Sequence, residues 1–198
     1  MSFRFRDCPA ILAVLLATAV AASAQQDAFC ICLDPMDPST CGGNAVIPVG
    51  VPTNIYLCLL NPSGSPVWVW VARITDSRQE GDMLGEWEMW GLDAWMDPFD
   101  YVVAPEPYAV PNAANVVRLG MMQVRVLDQT APIEFFIGPV PDFVGLPDTP
   151  GYVHTIGYNT PATVCSGDFD EPVFSINDVV AADVDTWGAI KSAYSAGK

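Results

Sequence analysis

Residues 53–74, TNIYLCLLNPSGSPVWVWVARI, limit the possible folds more than any other stretch of this chain. Two runs rich in β-branched and aromatic residues flank Asn61-Pro62-Ser63-Gly64-Ser65-Pro66, a cluster that offers turn geometry and cannot continue a sheet ladder. Side chains alternate along a strand, so Ile55, Leu57 and Leu59 share one face of the first run and Tyr56, Cys58 and Leu60 the other. In the second run Val67, Val69 and Val71 oppose Trp68, Trp70 and Ala72. Both faces of both runs are apolar, which places such strands in the middle of packed sheets with each face covered. The pattern predicts a β-hairpin at the centre of the molecule.

Further extended runs follow the same logic. Residues 29–33, 86–90, 101–104, 115–127, 133–137, 152–156 and 173–176 read as strands, separated by Pro, Gly, Asn and Asp clusters. Pro48 and Pro52 suit an edge or a bulge, and Arg125 lies opposite Val124 and Val126, so that strand has one side near water. With short strands and no long helical periodicity after the N-terminus, the expected fold is an all-β antiparallel sandwich of Ig-like or jelly-roll kind. One short helix is expected at the end of the chain. Asp185 or Thr186 can cap it, and Trp187, Ile190 or Lys191, and Tyr194 recur on one helical face. So short a helix holds in water only by docking that stripe, on the sandwich or on a partner.

The address is read from the first residues. Arg4 and Arg6 precede the apolar run 10–22, and Ala22-Ser23-Ala24 precedes Gln25, the pattern of a secretory signal peptide cleaved after Ala24. That run is shorter than the roughly 20 residues that span a bilayer, and no later stretch qualifies. The expected organisation is a signal peptide at 1–24, a β-sandwich at 25–178 and a linker with a tail helix at 179–198. The mature protein is expected to be secreted or held at the cell surface, with no transmembrane segment.

Charge narrows the partners. Removing Arg4, Arg6 and Asp7 from the chain's 8 basic and 23 acidic residues leaves 6 and 22, so the formal charge of −15 becomes −16. Such a field disfavours nucleic acid and anionic membranes and suits a cationic partner or a divalent ion, although a merely solvated acidic surface has the same composition. Residues 79–117 contain no Lys or Arg at all, and within them 80–101 is an acidic, aromatic segment that a carbohydrate-binding or glycoside-hydrolysing sandwich would use.

Of the 6 cysteines, Cys8 leaves with the signal peptide, and Cys30, Cys32, Cys41, Cys58 and Cys165 remain. An odd number in an oxidising compartment predicts two disulfides and one free thiol. Cys30 or Cys32 bonded to Cys58 would tie the N-terminal segment onto the sheet, and Cys41 with Cys165 would close a long loop; spacing alone leaves the connectivity open. The single residue between Cys30 and Cys32 is not the spacing of a zinc knuckle.

Catalytic patterns are sparse. His154 is the only histidine, there is no G-x-S-x-G elbow, and Ser166 sits in an unsupported loop, so a Ser-His-Asp site or a zinc hydrolase has little to draw on. The enzymatic alternative is glycoside hydrolysis, which needs two carboxylates a few ångströms apart. Glu86 and Glu88 stand at i and i+2 near Trp87, Trp90 and Trp95, so Glu86, Trp87, Glu88, Trp90, Trp95 and Asp97 form the candidate binding surface for a glycan or protein. The ordinary reading of the same residues is a solvated strand face with tryptophans that cover the core.

The segments Thr53-Asn54-Ile55-Tyr56-Leu57, Leu60-Asn61-Pro62-Ser63 and 126–139 (VLDQTAPIEFFIGP), with the ending Thr186-Trp187-Gly188-Ala189-Ile190-Lys191-Ser192-Ala193-Tyr194, resemble a group of uncharacterised secreted bacterial proteins. Those are single β-sandwich domains with a WG-x-[IV]-K-x-x-[YF] tail. The resemblance covers nearly the whole mature chain and implies export and a sandwich, with Trp187, Ile190, Lys191 and Tyr194 as a docking tail. It implies no activity. The sheets are also distantly similar in architecture to cohesin modules, which bind dockerins. Residues 167–180 are similar in turn to one dockerin calcium repeat, with Asp168, Asp170 and Asp178 at ligand positions 1, 3 and 12. Here the loop is one residue short, and Glu171-Pro172 replace the central acid and glycine that a calcium loop needs for its turn. Calcium is therefore the one cofactor candidate, against a plain acidic loop leading into the last strand. The expectation as a whole is a non-enzymatic extracellular or cell-surface module.

Overall fold

The computed structural model describes residues 26–95, 97–128, 131–155 and 158–178. In chain order the strands are β1 (Ala28–Cys32), β2 (Asn44–Ala45), β3 (Thr53–Leu60), β4 (Val69–Asp76), β5 (Met83–Leu84), β6 (Trp87–Met89) and β7 (Leu92–Asp93). They continue with β8 (Asp100–Ala104), β9 (Val116–Val126), β10 (Ile133–Gly138), β11 (Gly151–Thr155), β12 (Tyr158–Pro161), β13 (Thr163–Val164) and β14 (Phe174–Ile176). One 3-10 turn, Pro38–Thr40, follows β1; Asp37 caps it by accepting from the Ser39 amide.

The described residues form a two-sheet β-sandwich, as the strand pattern predicts. In the first sheet the order is β13-β1-β3-β9-β5, with β6 also on β9. The second has the order β12-β11-β4-β10-β14-β2, with β8 on β4 and β7 on β8. Most pairs are antiparallel, but β1 with β13 and β14 with β2 run parallel. The sequence pattern does not anticipate these parallel pairs, nor the short strands β5, β7, β12 and β13.

The expected central hairpin does not form. β3 and β4 are each central, but in different sheets: β3 lies between β1 and β9, and β4 lies between β8 on one edge and β11 and β10 on the other. Residues 61–68 therefore carry the chain across the sandwich. Two features divert the turn. Asn61 takes a left-handed φ of 48°, and Val67 pairs with Ala109 instead of reaching back toward β3. A polar knot then holds the crossing. The Tyr152 hydroxyl on β11 donates to Asp27 Oδ1, the Gly64 amide donates to the Tyr152 oxygen at 3.1 Å, and the Ser63 amide donates to Asp27 at 2.7 Å. The His154 ring packs over Gly64 so closely that a Cβ there would stand 2.2 Å from it.

The crossing also explains why both faces of these strands are apolar. Ile55, Leu57 and Leu59 of β3 and Trp70, Ala72 and Ile74 of β4 point into the shared core with Phe29, Leu119, Phe135 and Phe174. Burying each large side chain of this set contributes roughly 1.5–3 kcal/mol. The outward faces are covered by loops: Cys58, Cys32 and Val116 cluster with Cys41 and Ala114 on the first sheet, and Val71 clusters with Val140 and Leu146 on the second.

Cysteine pairing differs from the expected pairs. Cys30 bonds Cys165, Cys32 bonds Cys41, and the buried Cys58 is the free thiol. Cys58 stands opposite Cys30 across β1 and β3, but Cys165 follows β13, which pairs with the other edge of β1 and brings its sulfur alongside. An isolated bridge between Cys32 and Cys41 sets their Cα atoms 3.9 Å apart. The count of two disulfides and one leftover thiol is as expected.

Candidate functional site

The acidic, aromatic segment closes one side of the sandwich. β5 and β6 pair with β9 of the first sheet, and after Trp90 the chain joins the second sheet through β7 and β8 on β4. Gly91, at φ 147°, makes the passage possible: a Cβ there would stand 2.3 Å from the Ala104 carbonyl oxygen.

The three tryptophans expected to share a surface turn to three places. Trp87 points to the core, edge-on to Phe135 at 6.4 Å between ring centroids. Trp90 lies under the Arg118 guanidinium, 5.2 Å from its centroid, and Trp95 stands edge-on to Phe143 at 6.2 Å. Glu88 is exposed on the outward side of β6. Glu86, also exposed, faces a cavity that Glu88 does not line. Asp97 accepts from the Phe99 amide at 3.0 Å and so shapes its own turn.

Two of the concave regions beside this segment adjoin the 105–112 loop. The larger is a groove of about 710 Å³ lined by Trp90, Gly91 and Arg118 together with Pro105, Glu106, Tyr108 and other residues of 105–112. A hollow of about 650 Å³ shares Pro105, Glu106, Pro107 and Tyr108 and adds Leu92. Tyr108 is 60% exposed and leans on Trp68 at 5.8 Å between centroids. Asn112 fixes the far end of the loop: its Oδ1 accepts from the Ala114 and Val116 amides, and its Nδ2 donates to the Pro35 carbonyl at 2.8 Å. Glu106, Tyr108 and Arg118 are absent from the sequence-based candidates. The exposed Tyr between Pro107 and Pro111 is the signal that could have drawn attention to this loop.

The smaller cavity, about 340 Å³, is lined by Ile74, Asp76, Arg78, Glu86, Trp87, Pro98, Phe99 and Tyr101. Arg78 is committed there, with its Nε 3.0 Å from Asp76 and its Nη1 donating to the Gly85 carbonyl at 2.7 Å. Tyr101 donates to the Pro98 carbonyl at 3.2 Å. Burial raises its phenol above the ordinary value; Asp93 and Asp76 push the same way, and Arg78 opposes them. Nearby Asp100 is buried and lies 3.5 Å from Arg73. Desolvation raises its carboxyl, Arg73 works against this, and Asp97 adds to it.

Other sequence candidates are scattered. Asp168 Oδ1 accepts from the Asp170 amide, whereas Asp178 is bound through its backbone to the Asn44 amide group, donating to Oδ1 and accepting from Nδ2. Among the described residues no group of three or more His, Cys, Asp or Glu side chains is placed to hold a metal ion. His154 Nδ1 lies 3.0 Å from Thr155 Oγ1, and Ser166 donates to the carbonyls of Asp168 and Glu171. The tail residues Trp187, Ile190, Lys191 and Tyr194 and the signal segment 1–24 lie outside the described residues. Among the described residues no helix is long and apolar enough to cross a membrane, and two disulfides are the pattern of an oxidising compartment.

Comparison with protein-family models, with curated proteins and with solved structures finds no match for this chain.

Proposed function

We propose that this protein is a non-enzymatic interaction module of the extracellular space or cell surface, and that the groove between Trp90, Arg118 and the 105–112 loop is its binding face. The observation that carries the reading is the groove itself. It combines the exposed Tyr108 ring, the half-buried Trp90 ring and several prolines with one cation, Arg118, and one carboxylate, Glu106, on a frame fixed by Gly91 and Asn112. Rigid rings beside a few polar groups give contact area at low entropic cost, which suits binding. The cohesin-like resemblance supports a protein partner by architecture alone, and the acidity of the chain supports a basic one. Retention of Trp90→Ala, Tyr108→Ala and the double variant on the producing cells or their matrix tests the reading. Release of the variants with unchanged thermal stability supports it, and unaltered retention of the double variant overturns it.

A second reading, carbohydrate binding, is favoured by Trp90 and Tyr108 lining one groove with Glu106. Glycan-array binding lost in Trp90→Ala supports that reading. Glycoside hydrolysis draws less support, because Glu86 and Glu88 do not share a cavity; turnover lost in Glu88→Gln would restore it.

A further inference from the structure

The cavity beside β6 and β8 is chemically distinct from the groove. Three aromatic side chains line it, Trp87, Phe99 and Tyr101, and each is positioned by the fold. The Trp87 ring is braced by Phe135, the Phe99 amide is held by Asp97, and the Tyr101 ring is fixed by its hydroxyl on Pro98 and by Trp70, 6.1 Å away between centroids. Ring faces attract cations, most strongly organic ones that shed water easily.

The charges around these rings are unequal. Arg78 is spent on Asp76 and the Gly85 carbonyl, and Arg73 pairs with Asp100. Asp93 accepts from the Trp95 and Val102 amides, and Asp97 from the Phe99 amide, but these bonds leave their negative charge in place. Glu86 makes no hydrogen bond or ion pair with the described residues, yet it lines the cavity. A carboxylate without a partner beside three rings is the arrangement that receives a positive group.

We propose that this cavity binds an organic ammonium group, with Glu86 as its counter-charge and Trp87, Phe99 and Tyr101 as its walls. Its volume of about 340 Å³ is at the small end of ligand cavities and admits a trimethylammonium head or the end of a lysine side chain. The two sources share one chemistry, a free small quaternary amine or a basic residue of a partner protein. The proposal goes beyond the groove reading, and Trp90→Ala leaves it untouched.

The test is a titration of the purified protein with choline chloride and, separately, with Nα-acetyl-lysine methylamide at constant ionic strength. Binding is read from the Trp87 indole N–H signal in nuclear magnetic resonance spectra, assigned through Trp87→Phe. Saturable shifts are expected with at least one probe, about fivefold weaker in Glu86→Gln and lost in Tyr101→Leu combined with the exposed Phe99→Ala. Near-UV circular dichroism confirms that each variant folds. Tighter binding of choline assigns the site to small quaternary amines, and equal or tighter binding of the lysine analogue assigns it to a basic protein. The proposal is overturned if neither probe gives a saturable shift at about 0.1 M, the range beyond which a site has no useful affinity. Reproduction of the shifts by sodium chloride alone overturns it as well.

Discussion

Cys58 faces Cys30 directly across β1 and β3, yet the sulfur of Cys30 is bonded to Cys165 on the opposite edge of β1. Burial pushes the Cys58 thiol up to about 12, with Arg118 pulling the other way. Exchange needs a thiolate, so the fold holds a free cysteine beside two disulfides in a form that does not attack them. Cys58 is expected to resist alkylation at pH 8 in the native protein and to take up one equivalent in denaturant, as located by peptide mass spectrometry. Labelling of the native state as fast as that of the unfolded state would contradict this.

The same thiol links stability to alkaline pH. Its folded value lies above the ordinary one, so between about 9 and about 12 the unfolded state has lost a proton that the folded state keeps. Stability therefore falls as pH rises through that window, by about 1.4 kcal/mol per unit from this group. Cys58→Ala removes that slope. Denaturant midpoints of the two proteins at pH 7.5 and pH 10 are expected to converge or cross.

Loss of the long-range disulfide is expected to cost more than loss of the short one. Closing a loop with a separation of 135 residues stabilises by about 5 kcal/mol on the chain-entropy account, against about 2.5 kcal/mol for a separation of 9. Replacing Cys30 and Cys165 by alanine should thus lower the urea midpoint further than replacing Cys32 and Cys41. Equal shifts would show that the short bridge does more than close its own loop.

Tyr152→Phe deletes the hydroxyl that joins Asp27 to the Gly64 amide; both partners are half-buried, and losing their bonds is expected to cost about 1 kcal/mol. Gly64→Ala drives a methyl group into the His154 ring. Adding His154→Ala to Gly64→Ala should restore part of the loss, a coupling that a double-mutant cycle measures.

Trp87→Ala is expected to destabilise by about 3 kcal/mol, because its ring fills core space against Phe135. Glu88→Gln, exposed on the outward side, should stay within about 0.5 kcal/mol of the parent. Calorimetry on both variants separates the core tryptophan from the surface acid.

Much of the sandwich is legible in the sequence. The alternation of Val124 and Val126 against Arg125 sets which face of β9 is buried, and the doubly apolar β3 and β4 correctly read as central strands. Alternation says which way side chains point but not which strand lies alongside. That is why the crossing at 61–68 and the parallel β1–β13 edge were hidden, and with them the Cys30–Cys165 bond. The candidate surface was legible only as composition. Trp87, Trp90 and Trp95 are neighbours in sequence, but the passage through Gly91 from one sheet to the other sends them apart, while Arg118 and Tyr108 reach the groove from distant segments.

The crossing between β3 and β4 has a kinetic consequence. A hairpin would let these two apolar strands find each other within microseconds, whereas here each is completed on its second edge only by a partner far along the chain: β3 takes Val124 opposite Thr53, and β4 takes Gly138 opposite Arg73. Neither sheet is complete until most of the polypeptide is present, so this chain should fold slowly for its size, with β3 able to pair early only with β1 and β4 only with β8 while the other edge of each stays open.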